Sequence, residues 1–291
     1  MTLSRNNLVA LVCGIALVIL VFILLGVVST KIMDDSSERL SVGATVFPLA
    51  DMVREVAGVD ADVELILDPG ASPHTFELSP NKAVELANVE LVFSIGLGLD
   101  DWASGAASIS GADVVELSKD VDINCNVECD PHYWLSIDNA VVMTRSIARE
   151  LIALDPANAD RYRDRADAYI LELEAVNEFM LKLVDTAPKD IVVFHDSWDY
   201  FADSMGLNIV GTFEPAPGRE PTPRQLAELQ NVIKSNSITR VYREPQLSES
   251  ALLPFTKDLN IDIFVLDPLG GVADRNSYIN LMLFNAHAIA Q

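Results

Sequence analysis

Lysine and arginine are scarce in this 291-residue chain: 20 of them face 43 aspartates and glutamates, which leaves a formal charge of −23 at pH 7. Such a field repels nucleic acid phosphates and anionic lipid surfaces while raising the local concentration of cations. It argues against nucleic-acid binding, yet it does not by itself make a cation site, because an acidic surface also serves solubility. Histidine is scarcer still, at four residues, and cysteine numbers three. Internal repeats are absent. What the chain has in quantity is apolar mass: 50% hydrophobic residues at this length are enough for a substantial core and argue against disorder.

Charge is missing altogether from residues 8–28, LVALVCGIALVILVFILLGVV. At ~1.5 Å per residue this run spans roughly 30 Å, the thickness of a bilayer's hydrocarbon core. A cleavable signal peptide carries an apolar stretch of only about 7 to 15 residues, so the run is expected to be an uncleaved, single-pass membrane anchor. A lipidation signal is also missing, since Ala10-Leu11-Val12 lacks the small residue expected just before a lipidated Cys13. Arg5 and the amino terminus precede the run and Asp34, Asp35 and Glu38 follow it. That asymmetry keeps residues 1–7 in the cytoplasm and sends the bulk of the chain outside it.

Cys13 falls inside the anchor, where it is a small apolar filler. For Cys125 and Cys129, in NCNVEC, three outcomes are open. An oxidising exterior favours a local disulfide, Cys-x3-Cys-x2-His ending at His132 is a spacing for a thiolate zinc site, and two free thiols remain the third.

Beyond a polar linker the pattern alternates short β-branched runs with longer amphipathic ones, which predicts an α/β fold built from parallel βα units. The expected strands are SVGATVF from 41, DVELIL from 62, LVFSIG from 91 and DVVEL from 113, then IVVFH from 191, NIVGTF from 208, TRVYRE from 239 and DIFVLDP from 262. Four strands, one long helix and four more strands predict two lobes. The division expected is 1–7 cytoplasmic end, 8–28 anchor, 29–40 linker, 41–154 N-terminal lobe, 155–187 connecting helix and 188–291 C-terminal lobe.

The connecting segment opens on Asp155-Pro156, an acidic cap with proline at the first helical position, and stops before Pro188. Within it Tyr162, Ala166, Tyr169, Leu173, Val176, Met180 and Leu183 alternate four and three apart and form one apolar stripe. The stripe suits packing along both lobes of a monomer better than a coiled-coil dimer.

Three of the four histidines fall near the carboxyl ends of expected strands, where open α/β sheets form their ligand crevice. His74 follows the second strand in DPGASPHTFE, His132 follows the fourth in CDPHYW, and His195 ends the fifth in VVFHDSW. Asp267 ends the last strand in FVLDPLGG. A single histidine beside a proline is usually an ordinary loop residue, but three placed alike predict a metal site. Three imidazoles and a carboxylate suit tetrahedral zinc, whereas manganese prefers more oxygen. Pro73 and Pro131 stiffen the chain ahead of His74 and His132, which lowers the ordering cost of binding. His287, in NAHAIAQ, has no comparable placement.

At these residues the chain resembles a family, the cluster A-I metal-binding (ZnuA/TroA-like) solute-binding proteins of ABC transporters. The resemblance covers residues 41 to 291 and rests on ATVFPLADMVREVAG at 44, PGASPHTFELSP at 69, ANVELVFSIGLGLDDW at 87, DPHYWLS at 130, HDSWDYFADSMGL at 195, EPTPRQLAEL at 220, REPQLSES at 243 and VLDPLGG at 265. It implies two four-stranded lobes bridged by one long helix, a Zn2+ ligand held by His74, His132, His195 and Asp267, and delivery to a membrane permease with its cytoplasmic ATPase. Members that bind manganese tend to carry glutamate where His195 stands, so zinc is the implied cargo, with Mn2+ or Fe2+ as the alternative. Many zinc-specific relatives insert a histidine-rich loop before the second ligand. Here the corresponding VDINCNVEC has no histidine, and auxiliary metal sensing is not expected.

Two other functions compete with capture and delivery. A zinc hydrolase could draw a general base from Glu77, Asp196 or Glu244, but a catalytic zinc keeps a position open for water and four protein donors leave none. A surface adhesin, a role described for relatives of this family, is favoured by no repeat or apolar patch in the sequence.

Overall fold

The computed structural model describes residues 39–123, 125, 129–214, 219–248, 250 and 252–291. The expected anchor at 8–28 and Cys13 lie outside the described residues. Among the described residues no helix is long and apolar enough to cross a membrane.

The first half of the chain runs β1 (Leu40–Ala44), α1 (Phe47–Ala57), β2 (Ala61–Leu65), α2 (Pro80–Glu85), β3 (Leu91–Ser94), α3 (Trp102–Ser110), β4 (Asp113–Glu116) and α4 (Ile137–Leu154). After the bridging helix α5 (Ala159–Val184) come β5 (Asp190–Val193), α6 (Asp199–Met205), β6 (Asn208–Thr212), α7 (Pro223–Ser235), β7 (Arg240–Arg243), α8 (Leu252–Leu259), β8 (Asp262–Val265) and α9 (Tyr278–Ala290). All pairings are parallel, and the two sheets repeat one topology, β2-β1-β3-β4 and β6-β5-β7-β8. In each, the chain leaves its first strand toward one edge and returns on the other side of it. This creates a switch point, between β1 and β3 and again between β5 and β7.

Strand alternation distributes the apolar residues between two layers. In β5, Ile191 and Val193 enter a large central cluster while Val192 joins Phe194, Phe213 and Leu229 in an outer one. In β3, Leu91 and Phe93 point to the same central cluster while Val92 joins Ile66, Leu86 and Ala106 on the far side. One central core therefore contains residues of both halves, from Val42 and Leu49 through Trp134 and Tyr169 to Trp198, Tyr278 and Met282. Residues 40–291 are accordingly a single compact unit, although the strand pattern divides them into two lobes.

The helix α5 packs against α1, α4, α6 and α9, which belong to both halves. Its buried face comprises Tyr162, Ala166, Tyr169, Ile170, Leu173, Met180 and Val184, with Val176 half-buried at the edge of the core. The stripe is covered by the protein's own helices. The helix begins later than Pro156 because Pro156–Asn158 close a 3-10 turn. Asp155 stabilises that turn by accepting from Asn158 Nδ2 at 2.6 Å and from the Tyr162 hydroxyl at 2.8 Å.

Arg165 on α5 fastens the bridge to the first lobe. Its guanidinium donates to the Val56 and Ala57 carbonyls, both at 2.7 Å, and to Asp60 Oδ2 at 2.8 Å, satisfying the free end of α1. Gly58 ends that helix with φ 57°, and any Cβ there would stand 2.8 Å from Arg165 Nε. Only glycine both adopts the backbone and leaves the space.

Three hydrogen bonds tie one half to the other near the strand ends. Trp134 Nε1 donates to the Pro268 carbonyl at 2.8 Å, the Tyr278 hydroxyl donates to the Trp134 carbonyl at 2.6 Å, and the Tyr278 N–H donates to Asp51 Oδ2 at 2.7 Å. Burial raises the pKa of Asp51, opposed by that backbone bond and by the charge of Arg54.

Candidate metal centre

His195 stands two residues beyond Val193 of β5, and Glu244 two residues beyond Tyr242 of β7. Val193 and Tyr242 are register partners across the switch point of the second sheet, so the two strands deliver His195 and Glu244 side by side. A Glu244 carboxylate oxygen lies 2.7 Å from His195 Nδ1, and Oε1 also accepts from Trp198 Nε1 at 3.0 Å. Both residues are buried. A carboxylate accepts only, so the ring proton sits on Nδ1 and Nε2 carries a bare lone pair. That Nε2 is buried and has no hydrogen-bond partner.

His132 is built in the same way from the other lobe. Asp130 Oδ1 lies 2.7 Å from His132 Nδ1 and accepts the His132 N–H at 2.9 Å. The proton again goes to the carboxylate side and leaves Nε2 bare. The ring follows the disulfide formed by Cys125 and Cys129, and enters the buried 3-10 turn Tyr133–Leu135. Thiolate coordination is therefore not open to this cysteine pair.

His74 lies in the 3-10 turn Pro73–Thr75, whose Pro73 carbonyl accepts from Trp102 Nε1 at 3.3 Å. The residue is exposed, but its ring faces the other two, with centroids 5.3 Å from His132 and 5.6 Å from His195. The His132 and His195 centroids are 5.2 Å apart. One nitrogen from each ring lies within 4.8 Å of the other two, so three loops far apart in sequence converge on one point. Nitrogens bound to one ion at ~2.0 to 2.1 Å in tetrahedral geometry stand roughly 3.3 to 3.4 Å apart. The Nε2 atoms of His74 and His132 are already 3.3 Å apart. The cavity that the three histidines line together with Trp134, Gln246 and Leu269 amounts to about 10 Å³, room for one water-sized particle.

Crowding sets the protonation. Desolvation first, then the neighbouring His132 and His195, push the His74 pKa down to about 3 against the pull of Asp130. Burial likewise lowers His132, opposed by its bond to Asp130. Neutral imidazoles are the form that donates to a metal.

Asp267 is not in this group of converging donors. It is buried two residues beyond β8, but the cavity is lined by its neighbours Pro268 and Leu269 rather than by its own carboxylate. Its Oδ1 accepts from Gln246 Nε2 at 2.7 Å and from the Leu269 and Gly270 N–H groups, each at 3.0 Å. His287 is exposed on α9 near Phe179, remote from the three. Of the three carboxylates that could serve a hydrolase as a base, Glu77 and Asp196 are exposed and Glu244 is bound to His195. Asp130, Trp134 and Gln246 belong to the site but were not singled out from the sequence. For Asp130 the Asp-x-His spacing was a signal, since a short acidic side chain can bond the residue two positions on.

The model of the family described as "Zinc-uptake complex component A periplasmic", ZnuA, matches residues 42–291. The manganese-binding lipoprotein MntA of Halalkalibacterium halodurans is 28% identical over 263 residues, covering 87% of this chain and 88% of that protein. The iron ABC transporter substrate-binding lipoprotein MtsA of Streptococcus pyogenes serotype M1 is 26% identical over 292 residues, covering 93% and 94%. A crystal structure of ZnuA superposes with a TM-score of 0.79 at 27% identity, covering 87% of this chain and 98% of that one.

Proposed function

Because the chain belongs to the ZnuA family of metal-binding solute-binding proteins of ABC transporters, we propose that it captures Zn2+ among His74, His132 and His195, with Asp267 as the fourth, acidic element of the site. As a family member it is an extracytoplasmic carrier that binds a metal ion and works with a permease and its ATPase, and it is not an enzyme. The relatives named for manganese and iron leave the cargo to be argued from this chain's own residues.

The observation that carries zinc is the convergence of three imidazole nitrogens, two of them with their protons drawn to the far side of the ring by Asp130 and Glu244. Nitrogen donors rank zinc above manganese and iron, which gain more from carboxylate oxygen. The tether we infer is the apolar run 8–28, supported by its length and by the unsuited residues ahead of Cys13. The covered stripe of α5 supports a monomer. An intact mass that includes residues 1–28 is the expected outcome for the native protein, and a shorter mature chain would overturn the anchor.

Protein purified without added metal is expected to carry zinc on elemental analysis and to prefer Zn2+ over Mn2+ in competition titration. His195→Ala should weaken zinc by more than about 100-fold, beyond what loss of an outer partner costs. His287→Ala should leave it unchanged. Equal effects of the two substitutions would overturn the ligand assignment, and a preference for Mn2+ would overturn the cargo.

A further inference from the structure

Two of the residues that line the cavity carry a buried side-chain atom that makes no hydrogen bond within the protein. These atoms are His195 Nε2 and Gln246 Oε1. Gln246 follows β7 by three residues and lines the cavity beside the three histidines, which the Asp267 carboxylate does not. The orientation of its amide is fixed by chemistry. Its terminal nitrogen is 2.7 Å from Asp267 Oδ1, a carboxylate oxygen that only accepts, so the NH2 must face Asp267 and the carbonyl oxygen is the atom left unmatched. Asp267 is itself held in place, because the same Oδ1 takes two backbone N–H bonds and Oδ2 lies 3.4 Å from Arg275 Nε.

The arrangement repeats one already present twice. Asp130 stands behind His132 and Glu244 behind His195, each carboxylate drawing a proton away so that a lone pair is left on the cavity side. Asp267 stands behind Gln246 in the same relation. Burying a carbonyl oxygen with no donor is unfavourable unless something in the cavity meets it.

We propose that Gln246 Oε1 is the fourth donor to the ion, and that Asp267 is a positioning residue that aims the Gln246 amide. The proposal rests on the three-histidine reading above and sharpens the role given there to Asp267. Three imidazoles and one amide oxygen form an uncharged donor set. Such a set disfavours hard cations, which bind best to charged oxygen, and favours a borderline ion such as Zn2+.

The test uses the full chain, zinc titrated against a competing chelator, and the visible absorption of the Co2+-substituted protein as a report on the inner ligands. Gln246→Leu should weaken zinc by about 10- to 100-fold and shift the cobalt bands. Adding Asp267→Asn to Gln246→Leu should change affinity by less than about twofold, since a residue acting through Gln246 has nothing left to act on. Unchanged affinity and bands in Gln246→Leu would overturn the proposal, as would a further tenfold loss in the double variant, which would place the carboxylate on the ion. If Gln246→Leu does not fold, Gln246→Glu carries the test: it should shift the bands and raise Mn2+ affinity relative to Zn2+, and an unmoved ratio would overturn the proposal. Absence of zinc binding by the wild-type chain would instead overturn the three-histidine reading itself, and with it this extension.

Discussion

One carboxylate oxygen, Asp130 Oδ1, holds both the ring nitrogen and the backbone N–H of His132, at 2.7 and 2.9 Å. Asp130→Ala should therefore cost zinc affinity by two routes, the ring's orientation and the path of the loop. The expected loss is about 10- to 100-fold by chelator competition. Asp130→Asn should recover part of it, since an amide oxygen can still accept from the ring.

Glu244 is buried with three donors around one carboxylate: His195 Nδ1 at 2.7 Å, Trp198 Nε1 at 3.0 Å and the Ser197 hydroxyl at 3.4 Å. Glu244→Leu strands those donors in the interior. Each orphaned group costs about 1 to 3 kcal/mol, and the loss should appear in urea unfolding of the metal-free protein, with Glu244→Gln less affected.

Acid should act on the metal-free protein through the histidines. His74 is pushed down to about 3 and His132 is lowered as well, while the unfolded chain titrates near 6.5. Between those values the unfolded state binds more protons, so the contribution of these residues to stability is whole above about 6.5 and is lost as pH falls toward 3. The wild type minus His74→Gln difference in unfolding free energy should decline over that window. A flat difference would show that the rings are not desolvated.

Reduction of Cys125–Cys129 should have a limited effect. The bridge closes a loop of sequence separation 4, for which chain entropy predicts roughly 2 kcal/mol. Cys125→Ser with Cys129→Ser should lower the unfolding free energy measured in urea by no more than that, and zinc affinity should fall far less than in Asp130→Ala.

Of the three hydrogen bonds that tie the halves together near the strand ends, one depends on the side chain of Asp51. Asp51→Ala leaves the Tyr278 N–H of α9 without its acceptor, for an expected loss of about 1 to 3 kcal/mol in thermal or urea unfolding.

The strands were legible in the sequence as short runs rich in valine and isoleucine set between longer amphipathic stretches, even where an outer strand such as β4 or β8 is only half-buried, and the three histidines were legible because such runs end at a crevice. The outer partners were not, for a physical reason. The pairing of His195 with Glu244 depends on the register of β5 on β7, and that register is set by packing across 49 positions of sequence. The bond between Gln246 and Asp267 likewise depends on how the loops after β7 and β8 meet. The helix α5 starts three residues beyond the proline that the sequence pattern points to, because Asp155 caps a 3-10 turn as readily as an α-helix.

A core that ignores the boundary between the two sheets has a thermodynamic corollary. The halves should melt together in one cooperative transition, so neither survives as an independent module. Whatever free energy an ion contributes at the cleft then raises the melting temperature of every element at once. Tryptophan fluorescence, to which Trp134 at the cavity contributes, and the circular dichroism of distant α5 should report the same midpoint shift.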